Sequence, residues 1–239
     1  RTPFELQNDF SVAILGLSNF FREDAAVTAQ TMQIGNKPCH IYGETHAEYL
    51  LFQMTGEHEL QSMESEVAAI AQSAHRFLFA AIPVESWNDA LSPWEAPAVW
   101  GKQGFGGNAG DTLRFLTEQV IPTLKRQFPL PENVKIILGG YSLAGLFALW
   151  ASTQTNLFYG IAAASPSVWF PGWMEHEQQH PIQAQRVYLS LGDKEEHTKN
   201  AVMAVVSDNI RTLHSRLIER GADCTLEWNS GGHFKDADL

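Results

Sequence analysis

The sequence predicts an α/β fold: a mostly parallel central sheet, an antiparallel edge at its N-terminal side, and helices on both faces. Three observations carry this expectation. From Tyr49 onward, strand-like runs and helical stripes alternate, the pattern of parallel strands joined by helical crossovers. The runs are apolar throughout rather than every second residue, as strands covered on both faces require. A hairpin precedes them, and its two strands must run antiparallel.

Taken in order, residues 1–26 carry little pattern and are expected to form an N-terminal arm, with residues 27–239 as a single domain. Val27–Ile34 and Cys39–Tyr42 read as the hairpin, turning through Gly35-Asn36-Lys37-Pro38. Tyr49–Met54 and Phe77–Ile82 are apolar strands, separated by a helix over Met63–His75 with Val67, Ile70 and Ala74 on one face. Residues 83–110 form a long structureless connection, and such connections tend to be functional. A helix is expected over Asp111–Gln127, then a strand at Val134–Leu138, a helix at Leu143–Ser152, and strands at Ile161–Ala164 and Val187–Leu191. The stripe Met203, Val206, Ile210, Leu213 and Leu217 predicts a helix over Asn200–Arg220, closed by Gly221. Cys224–Trp228 is the last strand.

Composition narrows the function. Hydrophobic residues make up 44% of the 239 and charged ones 18%, enough apolar side chain for a full core. The formal net charge of −11 argues against binding nucleic acid or an anionic membrane surface. No apolar run approaches the ~20 residues of a membrane span. The chain begins at Arg1 rather than Met, so a leader is expected to have been removed. The two cysteines, Cys39 and Cys224, read as buried thiols of a cytoplasmic protein.

The sharpest motif is Gly139-Gly140-Tyr141-Ser142-Leu143-Ala144-Gly145, placed between an apolar strand and a helix. A serine hydroxyl attacks only when it is lifted clear of the backbone towards a base. A tight strand-to-helix turn lifts it, and needs small residues where the two backbones approach. Gly140 and Ala144 hold those positions, Ala144 in place of the usual second glycine. Ser142 is therefore the expected nucleophile of an α/β-hydrolase, in which the triad follows the order serine, acid, histidine.

The base is expected at His233, where Ser230-Gly231-Gly232 lets a loop carry the ring over the sheet edge after the last strand. The acid belongs on Gly192-Asp193-Lys194-Glu195-Glu196, leaving the C-terminal end of the strand before it. Glu195 is expected there, with Asp193 and Glu196 as competitors. Two backbone N–H groups must meet the developing oxyanion. Leu143 is expected to supply one and Glu57 the other, with Gly56 as the alternative to Glu57.

With these residues placed, the chain resembles the esterase family that includes esterase D and the ferric-enterobactin esterases. The resemblance runs over residues 27–239 and is strongest at Gly140–Gly145, at Ala164-Ser165-Pro166-Ser167-Val168-Trp169, at Leu191–Glu195 and at Gly232-His233-Phe234. It implies a triad of Ser142, Glu195 and His233, and a pocket shaped by Ser165 and Trp169. Ala144, and Thr55-Gly56 where Asp-Gly is more typical, depart from the family pattern.

Two further signals are set aside. His176-Glu177-Gln178-Gln179-His180 matches a zinc-protease pattern, but prolines on both sides limit it to two helical turns. Gly104-Phe105-Gly106-Gly107-Asn108-Ala109 follows a loop instead of a strand and reads as flexible glycine. Trp87, Trp94, Trp100, Trp169 and Trp173 crowd into loops, and Trp94 and Trp100 are expected to wall an apolar acyl pocket. The expected activity is cleavage of a small-molecule carboxylic ester through an acyl-enzyme on Ser142, without metal or cofactor, in a chain that forms a homodimer. A hydrolase-fold binding protein with impaired catalysis is the competing class. A thioesterase or serine peptidase would share the triad.

Overall fold

The computed structural model describes residues 28–233. The expected arm at 1–26 and Phe234 of the last motif lie outside them. Strands β1 (Thr28–Ile34), β2 (Lys37–Gly43), β3 (Tyr49–Thr55) and β4 (Phe77–Pro83) open the chain. Next come β7 (Lys135–Tyr141), β8 (Gly160–Ala164), β9 (Arg186–Gly192) and β10 (Asp223–Asn229), numbered after the short pair β5 (Glu95–Ala96) and β6 (Phe105–Gly106). One eight-stranded sheet results, in the order β1-β2-β4-β3-β7-β8-β9-β10. Strand β2 runs against both its neighbours, and the remaining pairings are parallel. The antiparallel edge and the parallel body are as the sequence predicts.

The hairpin turn is shorter than expected. It occupies Gly35-Asn36, and Lys37 and Pro38 already belong to β2. Proline cannot donate to a ladder. It is accommodated because β4 pairs only with His40–Gly43, so Pro38 lies where β2 is bonded on one side.

Helices α1 (Met63–Ala71), α2 (Trp87–Leu91), α3 (Ala109–Phe115), α4 (Ile121–Gln127), α5 (Leu143–Gln154), α6 (Trp173–Gln179) and α7 (Val206–Glu219) cover the sheet unequally. Alternation along the strands decides which side each residue meets. Leu50, Phe52, Leu138, Ala163 and Leu189 face one core, filled by Leu116, Leu124, Leu146, Phe147, Ile210 and Leu213. Leu51, Phe79, Ile137, Ala162 and Tyr188 face the other, where α1 contributes Met63, Val67 and Ile70. Among the described residues the second core is much the smaller.

Three elements differ from expectation, each for a local reason. Residues 109–127 are helical, but Leu116–Val120 widens into a π turn between α3 and α4. Pro122 lacks the N–H that would continue the i→i−4 ladder, so the ladder slips. Helix α7 starts at Val206 and not at Asn200. Asn200 accepts the Val202 N–H at 3.0 Å on its own side chain, which turns the chain before the helix can begin.

The 83–110 connection is not structureless. It holds α2 and the β5–β6 pair, and Ser92 ties it together by donating to the Asn88 carbonyl (2.6 Å) and accepting the Gly107 N–H (2.8 Å). The Gly104–Ala109 run is accordingly pinned, with Phe105 buried. No helix among the described residues is long and apolar enough to cross a membrane.

Candidate active site

Parallel strands deliver their C-terminal ends to one edge of the sheet. Ser142 sits there, immediately after β7 and before α5, with φ 57° and ψ −119°. That is a strained conformation for a residue with a side chain, and it lifts the hydroxyl off the turn. The turn is fixed by its backbone: the Ser142 N–H donates to Ala164 (3.0 Å), and the Ser142 carbonyl accepts from Leu146 (3.1 Å) and Ser167 (3.0 Å).

The small residues flanking Ser142 are required by contact. A Cβ on Gly140 would stand 2.5 Å from the Ala144 carbonyl carbon and 2.7 Å from the Ala144 methyl. Ala144 thus fits because Gly140 has no side chain, and the crowding is between these two positions.

The three expected triad residues meet. Ser142 Oγ lies 2.9 Å from Nε2 of His233, and Nδ1 of His233 lies 2.6 Å from Oε2 of Glu195. The other carboxylate oxygen accepts the Ser165 hydroxyl (2.6 Å) and the Gly192 N–H (2.8 Å). Burial alone would push the Glu195 carboxyl up. The hydrogen bond from His233 and its charge, with those from Ser165 and Gly192, outweigh burial and hold it below the usual carboxylate range.

The competing carboxylates are placed elsewhere. Asp193 is exposed and accepts the Gly231 N–H at 2.8 Å, while the Lys194 N–H donates to the Gly231 carbonyl at 2.8 Å. The loop that carries the acid is thereby laced to the loop that carries His233. The approach is close enough that a Cβ on Gly192 would stand 2.5 Å from the Gly231 oxygen. Glu196 lies outside the cluster, 3.9 Å from His197.

Tyr141 was not singled out in the sequence. Its ring stacks on the His233 imidazole, centroids 5.1 Å apart, and its hydroxyl donates to the His233 carbonyl. Period-2 alternation beside Gly140 offered a signal for its direction, but none for its partner. Ser165, expected to help shape the pocket, is buried and donates its hydroxyl to Glu195.

For the oxyanion donors, Leu143 opens α5, where the first N–H groups have no partner within the helix. Glu57 opens a 3-10 turn, Glu57–Gln61, directly after β3. The alternative, Gly56, already donates its N–H to Oε2 of Glu59 at 2.6 Å.

The tryptophans divide. Trp169 is buried, and Trp100, half exposed, meets it edge-on at 5.5 Å, with Phe105 at 5.9 Å from Trp100. Trp94 turns away, donating its indole N–H to the Pro171 carbonyl (2.9 Å) and packing on Phe170 and His176. His176 and His180 stack at 4.5 Å, with Nε2 of His176 3.0 Å from Thr153 Oγ1. Between them Glu177 is buried against Arg216 and Arg220 of α7 and its end, and so ties α6 to α7. Among the described residues no group of three acidic, histidine or cysteine side chains could hold a metal. Cys39 is buried, as expected, but Cys224 is only half-buried because β10 is an edge strand. Burial pushes both thiols up, to about 11 and about 12.

Sheet order, strand-to-helix serine turn and helical cover together define a hydrolase of the α/β-hydrolase fold. The chain belongs to the Putative esterase family, which matches residues 62–234. It is 25% identical over 172 residues to an uncharacterized protein, YbbA, of Bacillus subtilis, covering 69% of this chain and 67% of that one. Among solved structures, the siderophore hydrolase EstA of Aspergillus nidulans superposes with a TM-score of 0.64 at 18% identity, over 92% of this chain and 96% of that one. The BES protein of Bacillus cereus gives 0.62 at 18% identity, over 92% and 95%. The enterobactin esterase FES of Shigella flexneri gives 0.62 at 16% identity, over 89% of this chain and 56% of that one.

Proposed function

We propose that this esterase-family protein hydrolyses a carboxylic ester through an acyl-enzyme on Ser142. The observation that carries the reading is the unbroken relay from Ser142 Oγ to His233 (2.9 Å) and from His233 to Glu195 (2.6 Å). Glu195 accepts a hydrogen bond from the Nδ1–H of His233 and so fixes the tautomer whose bare Nε2 accepts from the serine. His233 removes the Ser142 proton as Oγ attacks the acyl carbon, and Leu143 and Glu57 N–H groups meet the oxyanion. The tetrahedral adduct expels the alcohol, which takes the proton from His233. Water then attacks the acyl-enzyme by the same route in reverse, releasing the acid and free Ser142.

The acyl group we propose is apolar or aromatic. Trp100 and Trp169 stand beside the loop whose Ser167 N–H holds the Ser142 carbonyl. The chain is acidic overall, and Lys102 is the one basic residue in the 83–110 connection. A ferric siderophore, being polyanionic, calls for a cationic cleft.

The test is hydrolysis of p-nitrophenyl esters of graded length beside an iron-free siderophore ester, with fluorophosphonate labelling of the serine. Labelling of the wild-type chain, loss of label and turnover in Ser142→Ala, and a preference for longer acyl groups are expected. A Ser142→Ala variant that keeps most of its activity would overturn the mechanism.

A further inference from the structure

Strand β3 ends at the loop from which the second oxyanion donor must come. Its alternation puts Leu51, Gln53 and Thr55 on the face that α1 covers, and Gln53 and Thr55 are both buried. The chain then passes through Gly56 into the 3-10 turn Glu57–Gln61. This turn is closed from both sides. The Gly56 N–H donates to the Glu59 carboxylate at 2.6 Å, and the Glu59 N–H returns to the Gly56 carbonyl at 3.1 Å. The Glu59 carbonyl in turn accepts the Ser62 N–H (3.1 Å) and hydroxyl (2.9 Å), which fastens the turn to the start of α1. Behind it, the Glu66 carboxylate of α1 approaches the Gln53 side chain, and the buried Glu66 Oε1 and Gln53 Oε1 have no hydrogen-bond partner.

We propose that Glu59 is a positioning residue of the oxyanion loop: by holding the Gly56 N–H it directs the Glu57 N–H to the acyl oxygen. The inference rests on the acyl-enzyme reading above. Its physical basis is the short, charge-assisted bond, which fixes one peptide plane and so the next N–H along. A donor lost from an oxyanion hole costs about 10²- to 10³-fold in kcat, and a donor merely misaimed costs part of that.

The charged groups facing Glu59 are His58 on its own turn and Glu66 from α1; β3 and β4 bring none. Burial raises the Glu59 carboxyl, and burial with the Glu59 charge pushes Glu66 up to about 7.

The experiment is steady-state hydrolysis of p-nitrophenyl acetate by Glu59→Ala and Glu59→Gln, with melting curves. Glu59→Ala should lose about tenfold or more in kcat, with KM held within about twofold. Glu59→Gln, whose amide oxygen still accepts the Gly56 N–H, should recover most of it. Should Glu59→Ala fail to fold, Glu59→Asp replaces it, since the shorter side chain withdraws the acceptor while keeping the charge; the same loss is expected. Wild-type kcat in the folded variant, a loss that glutamine does not recover, or a matching rise in KM would overturn the proposal. Fluorophosphonate labelling of wild-type Ser142 separates the two readings. A labelled serine with an indifferent Glu59 sinks this inference alone, and an unlabelled serine sinks both.

Discussion

Ser165 donates its hydroxyl to Oε1 of Glu195 at 2.6 Å, leaving Oε2 to His233. The Glu195 carboxylate is therefore held by two neutral donors, Ser165 and the Gly192 N–H, besides its contact with His233. Ser165 itself sits at φ 43°, a conformation uncommon for serine, anchored by its N–H to the Ser190 carbonyl at 2.9 Å. Ser165→Ala should lower kcat about three- to thirtyfold with little change in KM, because it leaves Glu195 free to rotate. Ester kinetics beside a melting curve test this, and an unchanged kcat would assign Ser165 to packing alone.

Glu195→Gln should cut kcat by roughly 10³ to 10⁴ by disordering the His233 tautomer. Glu196→Gln should do little, since that side chain lies outside the cluster. Asp193→Asn should fall between, because an amide oxygen still accepts the Gly231 N–H that holds the histidine loop. A crippling Glu196→Gln with a mild Glu195→Gln would reassign the acid.

Gly140→Ala should inactivate the protein and lower its melting temperature, since the new methyl would overlap Ala144. Ala144→Gly should leave turnover near wild type and cost up to about 1 kcal/mol as a helix glycine. Fluorophosphonate labelling of both variants decides, and a reactive, stable Gly140→Ala would mean that the two backbones are not held together.

The Glu66 carboxyl sets a pH dependence of stability. Its folded-state value, about 7, lies above the ordinary 4.5. A raised value means that its contribution is full below about 4.5 and is lost as pH rises through about 7. Glu66→Gln should therefore gain stability over wild type across that window, by about 3 kcal/mol at most. Urea unfolding at pH 5 and pH 8 measures it, and equal pH dependence in both proteins would remove the effect.

That Ser142, Glu195 and His233 come together was legible in sequence because each stands on a motif with a mechanical cause: a strained turn, a strand exit, a glycine-led loop. The strands were legible because burial on both faces leaves no room for polar residues. What escaped was contact between distant segments. Nothing in Asp193 announces that it bonds Gly231, nor in Ser165 that its hydroxyl reaches Glu195. Helix α7 starts later than its apolar period predicts because Met203 keeps that period while Asn200 turns the chain. The Gly56–Glu59 spacing carries a capping signal, since Glu59 lies three residues after the residue that opens the turn.

Trp100 and Trp94 should respond differently, although sequence gave them one role. Trp94 is a clamp: its indole N–H is spent on the Pro171 carbonyl, and its ring lies against Phe170, His176 and the face of Gly172. Trp100 is 50% exposed, resting edge-on against Trp169. The neighbouring Val99 carbonyl accepts the Asn200 side chain at 2.6 Å, which ties Trp100 to the loop following Glu195. A large ring left half in water has apolar surface to offer an acyl chain. Covering it is worth on the order of 1–3 kcal/mol, about ten- to hundredfold in kcat/KM. Trp100→Ala should therefore weaken long or aromatic esters more than acetate, with the melting temperature nearly kept. Trp94→Ala should lower the melting temperature and depress all esters alike. A uniform fall in Trp100→Ala across the ester panel would make that ring structural as well.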